Sequence, residues 1–170
     1  WVWVRVTGFS DFSARFLSSS FSLLAIAMVR PLGQSLLGQR RSVLAIFLTG
    51  VSPFLILYGR MARYYSLALF LGTIASWFCI QILASAHHPW SMAGYSAATA
   101  LLIYTDYPSA VILLGHALLA LTAWTGNRYL TWRVWGCLGI AALLFLPWMP
   151  VLLDQIVFIS GWQPAGFSEG

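Results

Sequence analysis

The sequence predicts an all-α protein, a polytopic bundle of about five to six membrane helices plus an N-terminal interfacial helix. Two features of the composition predict this class: 60% of the 170 residues are hydrophobic and only 8% are charged. A soluble domain carries about 25% charged residues. In addition, the apolar residues fall in runs that approach the ~20 residues needed to cross a bilayer. We therefore expect an integral membrane protein.

The charged residues and the cysteines exclude other classes of function. The arginines give the chain a net charge of +5, but they are scattered rather than clustered, so we predict no nucleic-acid partner. Cys79 and Cys137 lie inside apolar runs without metal-ligand spacing and are predicted to be buried free thiols. The chain opens without a methionine or a signal-peptide pattern, so we expect an interior piece of a longer membrane protein.

The N-terminal segment is expected to lie along the membrane surface. Trp1 to Val6 alternates aromatic and β-branched residues, and tryptophan favours the level of the lipid headgroups. Ser10 is a candidate cap for the helix that follows. Asp11 and Arg15 are spaced to pair along one face of that helix.

Prolines interrupt the first two predicted spans. The first span runs from Phe16 to Leu37, and the membrane core ends before Pro31 or the helix kinks there. The second span, Ser42 to Tyr58, is short for a hydrocarbon core of ~30 Å. Pro53 lies within it and is expected to bend its last turn.

The remaining spans follow in two longer and two shorter apolar runs. The third is predicted from Tyr64 to Ser85 and the last from Leu130 to Pro150. Between them, Met92 to Ile103 is too short to cross the bilayer unaided, and a further run continues from Ser109 to Trp124.

The turns between these spans separate the charged residues into two sets. With alternating spans, one face receives the basic turns and the other receives every acidic residue. The basic face contains Arg40, Arg41, His87, His88, Arg128 and Arg133. The opposite face contains Asp11, Arg60, Arg63, Asp106, Asp154 and Glu169. By the positive-inside rule the basic face is cytoplasmic, which places the opposite face outside the cell (inner) membrane.

The turn with Arg60 and Arg63 is the candidate binding site. Cations between two membrane-length segments are costly and are functional by default, and a guanidinium holds phosphate oxygens in a planar fork. The other candidate residues at this level are Tyr64, Tyr65, Tyr104, Asp106 and Tyr107. Such a set suits a lipid-linked phosphate with a polar cargo. From the charge pattern alone a second interpretation stays open, in which the arginines reach ordinary anionic lipids and the tyrosines form an aromatic belt.

From about Val6 to Gln155, the order of motifs resembles the membrane core of the polyprenyl-phosphate-dependent glycosyltransferases of the C superfamily. The motifs are GFSDFSARFLSS, a basic turn, SPFLILYGRMARYYSLALF, LLIYTDYPSAVILLGHALL and LFLPWMPVLLDQI. Within this superfamily, the chain resembles the bacterial family 39-like proteins related to protein O-mannosyltransferases and aminoarabinose transferases, including the rhizobial galacturonosyltransferase-like domain.

One motif carries most of this resemblance. In family members this motif has the form Ser-Pro-x-x-x-x-x-(Ser/Gly)-(Arg/Gln)-x-x-Arg-x-Tyr, in which x is any residue. Ser52, Pro53, Arg60, Arg63 and Tyr65 reproduce this pattern.

A second motif departs from the family. Many members have Tyr-Thr-His-Tyr where this chain has Asp106 in the third position, so no catalytic histidine is assigned. The acidic residue regarded as the general base belongs to an outer loop that is expected upstream of residue 1. Asp11 resembles a structural position in the helix that follows that loop.

By resemblance, the protein is a hexosyl or pentosyl transferase that moves a sugar from a polyprenyl-phosphate donor to a hydroxyl of a lipid, glycan or protein acceptor. Arg63, assisted by Arg60, is expected to bind the phosphate, while the tyrosines and Asp106 position donor or acceptor. The resemblance assigns no cofactor with certainty, and it allows a divalent metal, for which Asp106 is a weak candidate. Residues 1–155 are then a partial membrane core, inactive alone, and 156–170 begin an outer-face loop or tail.

Two other functions stay open at this point. A transporter would use the same charged residues for the passage of a substrate, and one of its short helices would be a broken helix. A non-catalytic, lipid-binding membrane subunit would bind the phosphate without chemistry. Outside this site, His116 is predicted to be a hydrogen-bonded core residue, and His87 and His88 an interfacial turn rather than a metal site.

Overall fold

The computed structural model describes residues 8, 10–61, 63–84, 89–125 and 127–161, and within these ranges the chain is helical and contains no strand. The all-α prediction is therefore confirmed. The helices are α1 (Asp11–Leu37), α2 (Gln39–Gly50), α3 (Pro53–Arg60), α4 (Tyr65–Leu83), α5 (Pro89–Thr105), α6 (Val111–Thr122), α7 (Arg128–Phe145) and α8 (Met149–Gly161). Short 3₁₀ turns at Pro108–Ala110, Ala123–Thr125 and Leu146–Trp148 join the last four helices. The predicted interfacial segment, Trp1 to Val6, lies outside the described residues.

Helix α1 begins at a capping box and ends at a glycine. The hydroxyl of Ser10 accepts a 3.1 Å hydrogen bond from the backbone N–H of Ser13, and the Ser13 hydroxyl accepts from the N–H of Ser10 at 3.3 Å. The predicted Ser10 cap is confirmed. The helix continues through Pro31 and ends at Gly38, whose φ of 82° is strained for residues with a side chain.

Helices α2 and α3 are two parts of one broken apolar segment. Their axes differ by 53°, and Val51 and Ser52 between them are not helical. Pro53 is the first residue of α3, a position that needs no backbone donor. The second span is bent beside Pro53, as predicted, but the break lies at Val51 and Ser52 and not in the last turn.

Side-chain contacts define the directions of the helices. Helices α1 and α4 run parallel, because Ser18 lies against Ser66 and the Phe21 ring lies 5.8 Å from that of Phe70. Helix α5 returns antiparallel to α4, since Leu102 near its end packs on Ala68 near the beginning of α4.

The C-terminal helices continue this alternation. Helix α7 runs parallel to α5, because Ser96 hydrogen-bonds the backbone of Cys137 and Tyr104 that of Leu144. Together these directions bring the ends of α3, α5 and α7 and the beginning of α4 to one end of the bundle. We call it the arginine end, after Arg60 and Arg63.

Small residues fill the centre of the bundle and large apolar residues cover its outside. The main buried cluster contains Ala75, Cys79, Ile82, Tyr95, Ala98, Ala120, Val134 and Cys137. Large side chains such as Leu23, Phe47, Leu114 and Leu143 are exposed. Small residues inside and leucines outside are typical of helices that pack together in lipid. Cys79 and Cys137 are buried free thiols, as predicted.

The described residues contain three helices long and apolar enough to cross a membrane: Arg15–Leu37, Tyr65–Leu83 and Arg128–Phe158. The bent pair α2 and α3 makes a fourth if it counts as one span. Helix α5 has 17 residues and the segment Pro108–Thr122 is shorter still, so neither reaches the length of a full span. The structure thus supports a membrane protein with three or four spanning helices, and the prediction of five to six is not confirmed.

Candidate functional site

The predicted arginines lie in the connection between α3 and α4. Arg60 is the last residue of α3, Arg63 follows in the turn, and Tyr64 caps the beginning of α4. Both arginine side chains are exposed, and within the described part of the chain neither forms an ion pair with an acidic residue. Two cations without anionic partners at the end of an apolar bundle can receive a ligand anion.

A cluster of aromatic rings, Phe54, Tyr58, Tyr64 and Tyr65, lies beside the arginines. The rings of Tyr64 and Tyr65 are tilted against each other at 4.6 Å, and Tyr58 meets Tyr65 edge to face at 5.0 Å. Phe54 extends this aromatic cluster, with its ring tilted and 4.3 Å from that of Tyr58. Sequence reasoning missed Tyr58. The preference of tyrosine for the membrane interface, together with its position beside Gly59, could have indicated it.

The electrostatics of Tyr64 connect four of the predicted residues. Its pKa lies above the usual value of 10.0, chiefly because of its hydrogen bond with Tyr65. The negative charge of Asp106 contributes to that increase in pKa, and the positive charge of Arg63 opposes it. Asp106 and Arg63 are therefore both close enough to Tyr64 to influence its ionisation, although they come from different turns of the chain.

Asp106 has a structural role that the motif comparison did not predict. One carboxylate oxygen, Oδ2, accepts hydrogen bonds from the backbone N–H of Ser109, at 3.2 Å, and from the Ser109 hydroxyl. The half-buried Asp106 therefore caps the 3₁₀ turn Pro108–Ala110, which leads into α6. Within the described residues, its other oxygen, Oδ1, accepts no hydrogen bond.

The other two predicted tyrosines attach α5 to the end of α7. Tyr104 donates a 2.7 Å hydrogen bond to the carbonyl of Leu144, and Tyr107 accepts one of 2.7 Å from the indole of Trp148. Their rings also pack against Phe145, at 5.3 and 6.1 Å. Sequence reasoning missed Trp148, whose place in a Leu-Pro-Trp turn at a predicted span end was the available signal.

Several predicted residues lie outside the described part of the chain or away from this site. The side chain of Asp11 and all of His87, His88 and Glu169 are outside the described residues. Asp154 is exposed on α8, beyond the end of α7. Among the residues that the structure describes, no group of three or more His, Cys, Asp or Glu side chains could hold a metal ion.

Two shallow apolar grooves lie elsewhere, along α5 and α7. One, of ≈ 450 Å³, is lined by residues of α7 and the turn after it, from Gly136 to Leu146. The other, of ≈ 290 Å³, lies between Met92 on α5 and Leu144 on α7. Neither groove is lined by a charged residue. Neither groove therefore offers a charged group to an anion.

The described site combines three chemical capacities. The guanidiniums can hold phosphate oxygens, the tyrosine rings can stack on a sugar, and one carboxylate can accept a hydrogen bond from a hydroxyl.

Comparison of the chain with known protein families, with curated proteins and with solved structures found no match.

Proposed function

We propose that the chain is part of an integral membrane glycosyltransferase. Its substrate is a sugar linked to polyprenyl phosphate, and its acceptor is a hydroxyl of a lipid, a glycan or a protein. The observation that supports this proposal best is the exposed pair Arg60 and Arg63, which lacks an acidic partner among the described residues and lies beside the aromatic cluster. An unpaired cationic site at the edge of the hydrocarbon matches a phosphate carried on a lipid tail.

In the proposed reaction, the acceptor oxygen attacks the anomeric carbon of the sugar and its proton passes to a carboxylate elsewhere in the full-length protein. The bond between the anomeric carbon and the phosphate oxygen breaks, and the lipid phosphate leaves with the electron pair. Negative charge therefore grows on the leaving phosphate. Arg63 and Arg60 stabilise that charge, and fixed cations do so most effectively where water is scarce.

The orientation and the span count belong to the same proposal. The arginine end faces the outside of the cell (inner) membrane, because the opposite end holds the basic turn at Arg40 and Arg41. The short helices α5 and α6 cross within the bundle beside longer ones, which gives five to six membrane helices. Residues 1–155 form part of the membrane core, and 156–170 begin an outer segment.

The experiment is an assay of the full-length protein in proteoliposomes with a panel of polyprenyl-phosphate sugars. Arg63→Ala removes a charged hydrogen-bonding partner of the phosphate, and we expect transfer to fall at least about 10- to 100-fold. Arg41→Ala is the matched control, because Arg41 is equally exposed but lies at the opposite end of the bundle. Membrane insertion should be unchanged in both variants. Transfer at the wild-type rate by Arg63→Ala would refute the role of this residue.

One observation favours a second function, a lipid-binding subunit without catalysis. Asp106 is the acidic residue that the structure places at the arginine end, and one of its two oxygens already caps Ser109. The other carboxylate whose side chain the structure describes, Asp154, lies on α8 beyond the end of α7. The two functions differ in one measurement: the subunit would bind polyprenyl phosphate in a manner that depends on Arg63 but would transfer no sugar in the full-length assay.

A further inference from the structure

Three buried serines from two helices meet behind the arginine turn. Ser18 and Ser22 of α1 and Ser66 of α4 are 5%, 7% and 2% exposed. The hydroxyl of Ser66 lies 2.9 Å from that of Ser18 and 3.0 Å from that of Ser22. Ser66 is therefore the centre of a small hydroxyl network between α1 and α4.

The directions of these hydrogen bonds follow from the positions of the acceptors. Ser66 donates its proton to the backbone carbonyl of Tyr58, at 3.3 Å. Since that proton is committed, Ser66 accepts from both Ser18 and Ser22. Ser66 thus makes three hydrogen bonds, the full capacity of one hydroxyl donor and two lone pairs.

The serines reach backbone carbonyls at the end of α3 and in the turn after it. Ser66 binds the carbonyl of Tyr58, and Ser19 donates to that of Gly59 at 3.1 Å. Ser18 also lies 3.5 Å from the carbonyl of Arg63. The last carbonyls of a helix have no partner within it. The carbonyl of Tyr58 accepts from the backbone N–H of Met61, at 3.3 Å, as well as from Ser66, whereas the carbonyl of Gly59 accepts from Ser19.

An arginine in the last turn of a helix often satisfies such carbonyls itself. Here no hydrogen bond joins the guanidinium of Arg60 or Arg63 to the carbonyls of Tyr58 or Gly59. Serine hydroxyls and the backbone N–H of Met61 are the donors to these carbonyls. The carbonyls therefore do not occupy the guanidiniums, and Arg63 instead hydrogen-bonds the side chain of Tyr65.

Close contact between the helices makes this arrangement depend on Gly59. A Cβ atom at this position would lie 2.7 Å from the Ser22 hydroxyl and 3.3 Å from Ser22 Cβ. Helix α3 can pack this closely against α1 only because residue 59 has no side chain.

We propose that Ser19 and Ser66 are positioning residues, supported by Ser18 and Ser22 as donors to Ser66, and that they hold the backbone at the end of α3 so that Arg60 and Arg63 can bind a lipid phosphate. This inference rests on the function proposed above. It extends that function to residues that touch no ligand and that act through the backbone of the turn.

The test uses the full-length protein in nanodiscs and compares Ser66→Ala with Ser20→Ala. Ser20 lies on the same helix as Ser18, but its hydroxyl donates to the carbonyl of Phe16 in its own helix and does not reach the turn. A spin label on Met61→Cys reports the mobility of the turn, and a label on Trp132→Cys reports a distant exposed site. Cys79 and Cys137 are buried and should not react with the label.

We expect Ser66→Ala to increase the mobility of the label at position 61 and to leave that at position 132 unchanged. Titration with polyprenyl phosphate should show about 2- to 10-fold weaker binding, the range for one lost hydrogen bond. Ser20→Ala should change neither quantity. If Ser66→Ala does not fold, Ser19→Ala removes the donor to Gly59 at a half-buried position and should give the same two changes.

The two readouts separate this inference from the proposed function. In one outcome, Ser66→Ala increases the mobility of the label at position 61, but the wild type does not bind polyprenyl phosphate. This would show that the serines fix the turn and would reject the lipid phosphate as the ligand. Normal lipid binding in the wild type, with an unchanged label spectrum and unchanged affinity in Ser66→Ala, would overturn the positioning role. Equal loosening in Ser66→Ala and Ser20→Ala would overturn it as well, because the effect would then be general.

Discussion

Tyr104 on α5 donates a 2.7 Å hydrogen bond to the backbone carbonyl of Leu144 on α7, 40 positions later in the chain. The Tyr104 ring also meets Phe145 and Trp148 edge to face, with centroids 5.3 and 5.8 Å away. These contacts join two parallel helices where both end at the arginine end. Because the hydroxyl proton of Tyr104 is already donated, this residue contributes to the site mainly by holding the ends of α5 and α7 together.

Tyr104→Phe tests that contribution, because it removes the hydrogen bond and keeps the ring. We expect the free energy of unfolding to fall by about 1 kcal/mol, the usual net value of one such bond. Thermal unfolding of the purified protein in detergent would measure this change. Affinity for polyprenyl phosphate should change less than about twofold. A large loss of affinity at unchanged stability would show instead that the hydroxyl contacts the ligand.

His116 is the centre of a second hydrogen-bond network, at the middle of the bundle. It is 6% exposed, with Nδ1 3.1 Å from the hydroxyl of Tyr95 and Nε2 3.0 Å from that of Ser76. Ser76 donates its own proton to the carbonyl of Gly72 at 2.8 Å, so it must accept from Nε2–H. The network therefore assigns a neutral imidazole that carries its proton on Nε2 and accepts from Tyr95 at Nδ1. The predicted role as a hydrogen-bonded core histidine is confirmed.

His116→Ala should lower the free energy of unfolding by about 2–4 kcal/mol, because it opens a cavity and removes the acceptor of the buried Tyr95 hydroxyl. Tyr95→Phe is the matched variant, which removes one hydrogen bond and should cost about 1 kcal/mol. Chemical or thermal unfolding gives both values. Nitrogen NMR of the labelled histidine would check the tautomer, and a spectrum with the proton on Nδ1 would contradict the assignment.

The sequence predicts the apolar helices because their signal is local. The Ser10 cap and the break at Pro53 follow from chemistry within a few residues, and both are confirmed. The span count is harder to predict, since an apolar run such as that of α5 does not show whether a short helix crosses beside longer ones.

Parts of the site depend on partners that are distant in sequence. The partnership of Ser18 with Ser66 joins residues 48 positions apart, and no local pattern predicts it. The cap formed by Asp106 can be predicted from the sequence, because an aspartate three residues before Ser109, with Pro108 between them, is typical of the beginning of a helix.

The orientation of the bundle can be measured with two single cysteines. Gln39 begins α2 and Met61 follows α3, at opposite ends of the broken segment, and both side chains are exposed. In intact cells, an impermeant thiol reagent should label Met61→Cys and should reach Gln39→Cys only after the membrane is opened. Cys79 and Cys137 are buried and provide little background. Labelling of Gln39→Cys alone would reverse the proposed orientation.

Asp106 carries a negative charge close to cations that are proposed to bind an anion, and two substitutions separate its cap from its charge. Asp106→Asn keeps an oxygen that accepts from Ser109 and should leave stability nearly unchanged, whereas Asp106→Ala should cost about 1 kcal/mol as a lost cap. Because Asn removes a negative charge at the end of the bundle that holds Arg60 and Arg63, we expect polyprenyl phosphate to bind about two- to fivefold more tightly. This gain should shrink in high salt, which screens charges at an exposed site. Weaker binding by Asp106→Asn, measured beside the same unfolding curve as the wild type, would mean that the carboxylate contacts the substrate directly.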